Sequence, residues 1–248
     1  MKIKWLGHAS VLISSANGLR IIADPYQTGY HAPPGGTLSY KEIDEVADII
    51  LVSHEHPDHS NIDVVRGKPE VVRCSTMKQN GSVTVKGIEF KCLPCYHDNV
   101  EGKLLGENNM ALFEVDGMKI CHTGDIGHSL SDEQVAQLGR IDVLLLSVGL
   151  LVPVGEPRFA TTASGKSQLP WKEYIIDADV ANQIYYQLHP ELTIPIHYGN
   201  EKCSFHLVNV DEFLKGKPDV VRMESSEIEI TPDTIKTPGQ IISLQPAN

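Results

Sequence analysis

Three histidines, a glutamate and an aspartate are crowded into one six-residue stretch, HEHPDH, and side chains of these types bind divalent metal ions. The stretch follows the apolar run Ile49–Val52, which predicts a buried strand. Residues two apart in an extended segment project to the same side, so His54 and His56 point together as the strand ends. The proline that follows turns the chain, so Asp58 and His59 face a neighbouring point. Such a corner favours two divalent ions over one.

The competing interpretation is that these residues are solvated loop residues, or core histidines satisfied by hydrogen bonds. Crowding so many ligand-type side chains together gains nothing for folding. Without a cation, their mutual repulsion and desolvation would be costly. Glu55 lies between two of the histidines but points the opposite way, so we do not expect it to be a ligand.

Composition limits the partners of the protein. With 248 residues and 41% apolar residues, the chain can bury a proper core, and no linker divides it, so we predict a single domain spanning residues 1–248. The 32 acidic and 21 basic residues give a formal net charge of −11. This charge repels a phosphate backbone or an anionic membrane, so we expect a small-molecule substrate and neither nucleic acid nor membrane as partner. The oligomeric state stays open, a homo-oligomer included.

The cysteines are odd in number and scattered, which is typical of a reduced compartment. They are Cys74, Cys92, Cys95, Cys121 and Cys203. The Cys-x-x-Cys pair among them could bind zinc or act in redox chemistry, but no second pair follows and no helix is predicted there. We therefore interpret all five as structural. The N-terminus has no apolar signal-like region and no run is long enough to span a membrane, so we expect a cytoplasmic protein.

Short strands and helices alternate along the chain. Asn17-Gly18 predicts a hairpin turn between the second and third strands, and Val180, Ile184 and Leu188 predict the apolar face of the helix after Asp177. Strands are predicted at Lys2–Trp5, Ser10–Ser14, Leu19–Ala23, Ala47–Val52, Val71–Arg73, Ser82–Val85, Ile88–Leu93, Met110–Val115, Met118–His122, Ile141–Ser147, Thr193–Ile196, Val220–Met223 and Glu227–Thr231. Helices are predicted after Ser39, over Asp63–Arg66, from Ser131 to Gly139, after Asp177 and over Val210–Lys215. This order indicates an α+β or α/β protein, built as a four-layer αββα sandwich of two mixed β-sheets flanked by helices.

One stretch does not fit this alternation. Residues 152–172 are rich in Gly, Pro, Ser and Thr and form too long a segment for an ordinary connection. We expect this insertion to fold over the metal-binding corner as a lid and to control substrate choice. Pro153, Arg158 and Lys166 could give it shape and charge for an anion, with Arg158 the more natural partner of a carboxylate or phosphate.

Three motifs together resemble those of the metallo-β-lactamase superfamily of binuclear metallohydrolases. They are HEHPDH, the Thr-Gly-Asp that ends at Asp125, and the Ile-His that ends at His197. The resemblance runs from the opening strand with Gly7-His8 to the sequence IPIHYG. Within the superfamily the chain looks most like the compact cytoplasmic hydrolases related to L-ascorbate-6-phosphate lactonase.

The resemblance implies a complete set of metal ligands. His54, His56 and His97 match the ligands of a first metal, Asp58, His59 and His197 match those of a second, and Asp125 matches a bridging carboxylate. His97 has a rival in His122. We prefer His97, because it lies just past a predicted strand, whereas His122 lies on the strand that leads to Asp125.

The same set implies a chemistry. His and carboxylate ligands suit Zn²⁺ best, with Mn²⁺ or Fe as alternatives, and the absence of Cys ligands argues against a purely structural zinc site. Two metals about 3.5–4 Å apart would hold a bridging hydroxide and lower its pKa to near neutral. Asp58 could orient that hydroxide, and Asp125 would hold both ions, so these two carry the catalytic assignment. The expected reaction is hydrolysis of a small, anionic lactone, phosphoester or phosphodiester.

Five further residues are candidates for substrate contact or for supporting the ligands. They are His8, Asp24, His128, Tyr198 and Asn200. Asp24 could accept a histidine N–H and fix its tautomer, and Tyr198 or Asn200 could donate to an oxyanion or phosphate. Simple packing or solvent exposure remains the alternative for each.

The alternative function is a non-catalytic metal-binding or ligand-sensing protein on the same fold. A complete ligand set argues against it, because degenerate relatives of such enzymes usually lose one or more ligand positions.

Overall fold

The computed structural model describes residues 1–31, 36–77, 81–153, 160–161, 167–168, 174–176, 178–205, 207–231, 234–235 and 238–247. The first half of the chain contributes the strands β1 (Lys2–Gly7), β2 (Ser10–Ser14), β3 (Arg20–Ala23), β4 (Val46–Val52), β5 (Arg66–Arg73), β6 (Ser82–Val85), β7 (Ile88–Tyr96), β8 (Glu107–Val115) and β9 (Met118–His122). The second half contributes the strands β10 (Val143–Ser147), β11 (Leu151–Pro153), β12 (Ala160–Thr161), β13 (Ser167–Gln168), β14 (Tyr174–Ile176), β15 (Leu192–Ile196), β16 (Val220–Arg222), β17 (Glu227–Glu229) and β18 (Gln240–Ser243). The described helices are α1 (Asp132–Leu138), α2 (Ala178–Leu188) and α3 (Val210–Leu214), with short 3-10 turns at Ile62–Val64 and Cys74–Thr76.

Two large sheets form the body of the protein, and both are mixed. The first has the strand order β17-β1-β2-β3-β4-β5, antiparallel as far as β3 and parallel from β3 to β5. The second has the order β16-β18-β15-β10-β9-β8-β7-β6, parallel from β16 to β9 and antiparallel from β9 to β6. The predicted fold class, two mixed sheets with helices, is confirmed.

Strand direction decides where the functional residues lie. In the first sheet β1 and β3 are both antiparallel to β2, and β4 is parallel to β3, so all three end at the same edge. In the second sheet β9 and β15 are parallel through β10, and β7 shares their direction because β8 is antiparallel to both of its neighbours. The residues that follow these six strands therefore collect at one edge of each sheet.

The core lies between the sheets and under the helices. Every residue of β10 and β15 is buried, which requires cover on both faces of the second sheet. In α2 the predicted apolar positions Val180, Ile184 and Leu188 are buried and belong to the same core as these strands. Burying a side chain of this kind stabilises the fold by about 1.5–3 kcal/mol. Because such a core is closely packed, the sandwich is a rigid support for the turns at its edge.

Two local signals in the sequence are confirmed. The Asn17-Gly18 turn joins β2 and β3, which pair as antiparallel neighbours. The side chain of Ser131 accepts a hydrogen bond from the backbone N–H of Gln134, whose side chain in turn accepts one from Ser131, so a capping box begins α1.

The helix predicted after Ser39 is wrong, since residues 39–45 are irregular and β4 follows. The chain here packs as extended structure over the outer face of the first sheet, with Tyr40 fully buried. Its backbone bonds to distant segments: Ser39 N–H donates to Lys202 O at 2.7 Å, and the Tyr26 hydroxyl donates to Lys41 O at 2.7 Å. These tertiary contacts override a local capping signal.

A strand near the C-terminus was missed by the prediction, which ended the sheet at the preceding strands. β18 lies between β15 and β16 and is parallel to both. Its sequence, QIIS, is short and has no local hairpin partner. Only the long-range pairing reveals it.

The insertion has strand structure at its ends and within it. β11 pairs with β14 and β12 pairs with β13, each pair antiparallel. Residues 154–159, 162–166 and 169–173 lie outside the described residues, and these include Arg158 and Lys166. The expected lid over the metal corner therefore stays a prediction.

The cysteine prediction needs a correction. Cys74 and Cys92 form a disulfide, with their Cα atoms 5.4 Å apart, whereas all five cysteines were expected to be unpaired. The 3-10 turn that contains Cys74 lies against the second sheet, a proximity that counting cysteines along the sequence does not reveal. Cys95, Cys121 and Cys203 are free and buried. Among the described residues, every helix is too short or too polar to cross a bilayer.

Candidate metal centre

Sharp turns at the strand ends direct side chains into one site. His8 follows β1, Asp24 follows β3 and His197 follows β15, with φ angles of 52°, 44° and 53°. This left-handed backbone conformation costs about 1–3 kcal/mol for a residue with a side chain. Such strain persists where the surrounding fold imposes it, and it commonly marks functional positions.

Asp125 lies at the centre of the site. Its Oδ2 is 3.1 Å from His59 Nε2, 3.1 Å from His97 Nε2 and 3.3 Å from His197 Nε2. These histidines follow three different strands. Asp125 itself follows β9. Its Oδ2 therefore contacts histidines from the segments that follow β4, β7 and β15.

The predicted ligands form two groups around this carboxylate. In one group are His54, His56 and His97, and in the other are Asp58, His59 and His197, joined by His8. Within each group the candidate ligand atoms all lie within 4.8 Å of one another. The structure thus brings together the residues predicted to bind a first and a second metal, with Asp125 in contact with both groups.

The donor atoms are suited to receive metal ions. His59 Nε2, His197 Nε2 and Asp125 Oδ1 are buried and have no hydrogen-bond partner, although His59 Nε2 lies 3.1 Å from the other oxygen of Asp125. Buried polar atoms are rarely left unpaired, so such a concentration indicates a missing partner. Imidazole nitrogen and carboxylate oxygen are the donors that Zn²⁺, Mn²⁺ and Fe accept. The residues present therefore fit divalent metal ions.

The tautomer of His54 supports the same conclusion. The Ser53 hydroxyl donates to Asp24 Oδ2 at 2.6 Å, so at its 2.9 Å contact with His54 Nδ1 it accepts the proton that this nitrogen carries. His54 Nε2 is then a lone pair, 3.1 Å from His56 Nδ1. His54 Nε2 can therefore donate its lone pair to a metal ion on the side of His56.

Burial and neighbouring charges set the protonation of the ligands. Burial, helped by His59, holds the pKa of His54 well below its ordinary value, and burial does the same for His197, so both rings are neutral. Burial raises the pKa of Asp125, but His197 and His59 outweigh it and hold that pKa well below the ordinary range. For His59 burial lowers the pKa, whereas Asp125 and Asp58 raise it well above normal. The two carboxylates beside His59 therefore favour positive charge at this part of the site.

Asp24 supports the ligands from behind and is fully buried. Its Oδ1 accepts from Ser53 N–H at 2.8 Å, and its Oδ2 lies 3.2 Å from His59 Nδ1. The contact keeps a proton on His59 Nδ1, so Nε2, on the side of Asp125, is the nitrogen that would bind a metal ion. Burial raises the pKa of Asp24, but His122 and His59 lower it to about 2, so it is ionised.

His8 contacts the site through both its ring and its backbone. His8 Nε2 lies 3.1 Å from Asp58 Oδ2, and its ring lies 4.1 Å from that of His197 between centroids. Its carbonyl oxygen accepts hydrogen bonds from Trp5 Nε1 and from His197 N–H, both at 2.9 Å. His8 therefore positions two ligands, Asp58 and His197.

His122 is turned away from the ligand groups. Its Nδ1 accepts the Gly124 N–H at 2.9 Å, so its Nε2 carries the proton and donates to Ala9 O at 3.2 Å. Both ring nitrogens are thus engaged, whereas His97 Nε2 directly contacts Asp125. The geometry favours His97 as the ligand.

Replacing each of these two histidines in a separate variant tests that assignment. If the site binds the two ions that the sequence predicts, we expect His97→Ala to lose one of them, since it removes a donor atom, and His122→Asn to keep both, since the new amide oxygen can still accept the Gly124 N–H. Metal content by mass spectrometry after desalting is the measurement. Two ions retained in H97A and one lost in H122N would reverse the assignment.

Three substrate candidates are occupied elsewhere in the structure. Tyr198 is buried against Trp5, with ring centroids 4.9 Å apart, and its hydroxyl lies 3.3 Å from Leu244 O. Asn200 Nδ2 donates to the Tyr40 hydroxyl at 2.7 Å. His128 Nε2 accepts the N–H of Tyr96 at 3.1 Å, and its ring lines a groove of about 740 Å³ that no metal ligand lines. The geometry of Tyr198 and Asn200 fits packing rather than substrate contact, and the substrate role of His128 stays a prediction.

Two supporting residues were missed by the sequence analysis, namely Asn108 and Asn109 on β8. Both are buried, and both contact the metal-binding turns. The available signal was a pair of amides near the start of a mostly apolar strand. Glu55, by contrast, points outward as expected and pairs with Arg73 and Ser75.

The two mixed sheets and the His/Asp centre at their edge define a metal-binding protein of the metallo-β-lactamase class. A family model described as "Beta-lactamase superfamily domain" matches residues 2–197, and the chain belongs to this superfamily. The closer likeness to L-ascorbate-6-phosphate lactonase stays a prediction.

Similar proteins are named as metal-dependent hydrolases. A UPF0173 metal-dependent hydrolase of Archaeoglobus fulgidus is 26% identical over 97% of each chain. One of Pelotomaculum thermopropionicum is 27% identical over 98% of this chain and 100% of that one. Among solved structures, a Thermotoga maritima protein described as a Zn-dependent hydrolase of the metallo-β-lactamase superfamily is 27% identical, with a TM-score of 0.65 over 98% of this chain and 99% of that one.

Proposed function

We propose that this protein is a binuclear metal-dependent hydrolase that acts on a small anionic molecule, a lactone, a phosphoester or a phosphodiester. The observation that carries the proposal is the pair of ligand groups that share Asp125, with buried donor atoms left unpaired between them. Relatives over the whole length of the chain are named metal-dependent hydrolases. Zn²⁺ is the proposed metal, because the donors are histidine and carboxylate.

Each group of ligands would hold one ion. His54, His56 and His97 would hold the first, Asp58, His59 and His197 the second, and Asp125 would contact both. Two divalent ions bound there would ionise a water near neutral pH and stabilise negative charge that develops on the substrate. They would also make the site electropositive in a protein whose net charge is −11.

The open side of the site is next to Asp58. His56 and Asp58 are partly exposed, whereas the other ligands are buried. The contact of Asp58 Oδ2 with His8 Nε2 holds this carboxylate at the open side, where it would orient an attacking water. The ring of Phe205 lies edge-on to His8 with centroids 5.5 Å apart, and the ring of Tyr30 lies 6.3 Å from that of Phe205. These two aromatic rings would flank the apolar part of a substrate.

Removal and return of metal test the proposal. We expect the purified protein to hold two divalent ions and to hydrolyse bis-p-nitrophenyl phosphate or a member of a lactone panel. Dialysis against a chelator should abolish turnover, and Zn²⁺ or Mn²⁺ should restore it, because the ionised water depends on the ions. Metal content and initial rates are the measurements.

Two results would contradict the proposal. Stoichiometric metal without turnover on any substrate of the panel would favour the sensing protein instead. Turnover that survives complete removal of metal would show that the metal centre does not carry the reaction.

A further inference from the structure

We propose that Asn108 and Asn109 are positioning residues that hold the metal-binding turns of both sheets in the geometry that two ions require. The inference rests on the proposed binuclear site. The two asparagines are adjacent on β8, which lies between β7 and β9, the strands that lead to His97 and Asp125.

Asn108 holds the turn that delivers Asp125. Its Nδ2 donates to Thr123 O at 2.9 Å, and its Oδ1 accepts the backbone N–H of Asp125 at 3.1 Å. The same Nδ2 lies 3.1 Å from the sulfur of Cys95, two residues before His97. One fully buried amide therefore contacts two metal-binding segments.

Gly124 shows how closely this turn is held. It has a φ of 53°, and a Cβ at this position would lie 2.3 Å from Asn108 Oδ1 and 2.8 Å from Ser53 Oγ. Gly124 thus packs closely against both Asn108 and Ser53, the residue that follows β4. The position of Asp125 depends on both neighbours.

Asn109 connects the second sheet to the first. Its Nδ2 donates to Ser53 O at 3.0 Å, and Ser53 immediately precedes His54. Ser53 also donates its N–H and its hydroxyl to Asp24. Asn109 thus helps to hold the residue from which His54 and His56 follow, in the sheet opposite its own.

The chemistry of an amide explains this pair better than packing does. A leucine has the same branching as an asparagine and, although it is larger, it could be buried without the cost of burying polar atoms. The amides add direction, because each bond holds a particular backbone atom at hydrogen-bond distance. Removing partners that orient ligands typically costs 10–100-fold in metal affinity.

Replacing each asparagine is expected to lower the metal affinity in a different pattern. Asn109→Leu should raise the dissociation constant of the ion held by His54, His56 and His97 by about 10–100-fold and leave the second ion less affected. Asn108→Leu should raise both dissociation constants by about that factor, because Asp125 contacts both groups. Leu112→Ala, on the same strand but further from the site, is the control for loss of stability alone.

Titration with Co²⁺ against a chromophoric chelator gives both dissociation constants, and the visible absorption of bound Co²⁺ reports the geometry at each ion. His97→Ala and His197→Ala assign the bands to the first and second ion. We expect altered bands and weaker binding in N108L and N109L, with L112A like the wild type. If N108L does not fold, N109L alone decides, since its predicted effect is confined to one ion.

Two results overturn the inference alone. One is that the wild type binds two ions and N109L has the same absorption bands and dissociation constants within about twofold of the wild-type values. This result leaves the proposed function intact. The other is an equal loss of affinity in L112A, which would make the effect a general loss of stability. A wild-type protein that takes up fewer than two ions would overturn the binuclear function itself and this inference with it.

Discussion

Replacing Asp125 with alanine is expected to remove both metal ions and all measurable turnover. Asp125 Oδ2 contacts one histidine of the first group and two of the second, so its loss weakens both ions at once. Removing a residue that merely orients a ligand costs about 10–100-fold in metal affinity, so we expect the removal of Asp125 to lower the metal affinity by more than about 100-fold. Metal content after desalting and the rate on the best substrate of the panel are the measurements.

Asp142→Ala is a matched control for this variant. Asp142 also carries a largely buried carboxylate on the second sheet, but it precedes β10 and therefore lies at the opposite edge, where it accepts Lys119 N–H at 2.8 Å. We expect this variant to lose some stability and to keep both ions. Retention of both ions and of turnover in D125A would remove the basis for a site shared by two metals.

Replacing Asp24 with alanine is expected to have the second largest effect, on stability as well as on metal binding. The change leaves two donors of Ser53 and the Nδ1–H of His59 buried without their acceptor. Breaking a buried charged pair typically costs 3–5 kcal/mol, so we expect the free energy of unfolding to fall by about that amount. Without Asp24 the tautomer of His59 is no longer fixed, which should also lower the metal affinity by about 10–100-fold. Denaturant unfolding and Co²⁺ titration measure the two effects.

Asp24→Asn separates the two effects. Asparagine keeps the size and one acceptor oxygen, so most of the stability should remain. Ser53 N–H keeps the amide oxygen as its acceptor, so the amide N–H₂ faces His59 Nδ1; the ring then takes the Nε2–H tautomer, its ligand nitrogen is blocked, and metal affinity should still fall. Wild-type affinity in D24N would show that Asp24 does not set the tautomer of His59.

The local part of the metal centre could be predicted from the sequence. In HEHPDH the alternation of a strand and the turn at proline set the direction of each side chain, and both depend on neighbours along the chain. The same is true of the capping box at Ser131 and the hairpin at Asn17-Gly18. The match to the superfamily then supplied His97, Asp125 and His197, which no local rule could have connected.

Residues whose role depends on distant partners could not be assigned in this way. His97 and His122 both end or follow apolar strands, and only the bonds of His122 to Ala9 and Gly124 distinguish them. Tyr198 and Asn200 follow a ligand directly, yet their side chains bond to Leu244 and Tyr40.

The sequence by itself determined the two mixed sheets, most of the strands, and the types and number of the proposed metal ligands. The strands and the HEHPDH corner follow from periodicity, turn chemistry and donor chemistry, which act over a few residues, whereas the remaining ligands follow from the resemblance to the superfamily. The tertiary structure alone decided the loss of the helix after Ser39, the pairing of β18, the Cys74–Cys92 disulfide and the contacts of Asn108 and Asn109. The physical reason is that each depends on groups brought together from distant parts of the chain, whose proximity only the folded arrangement of the two sheets creates.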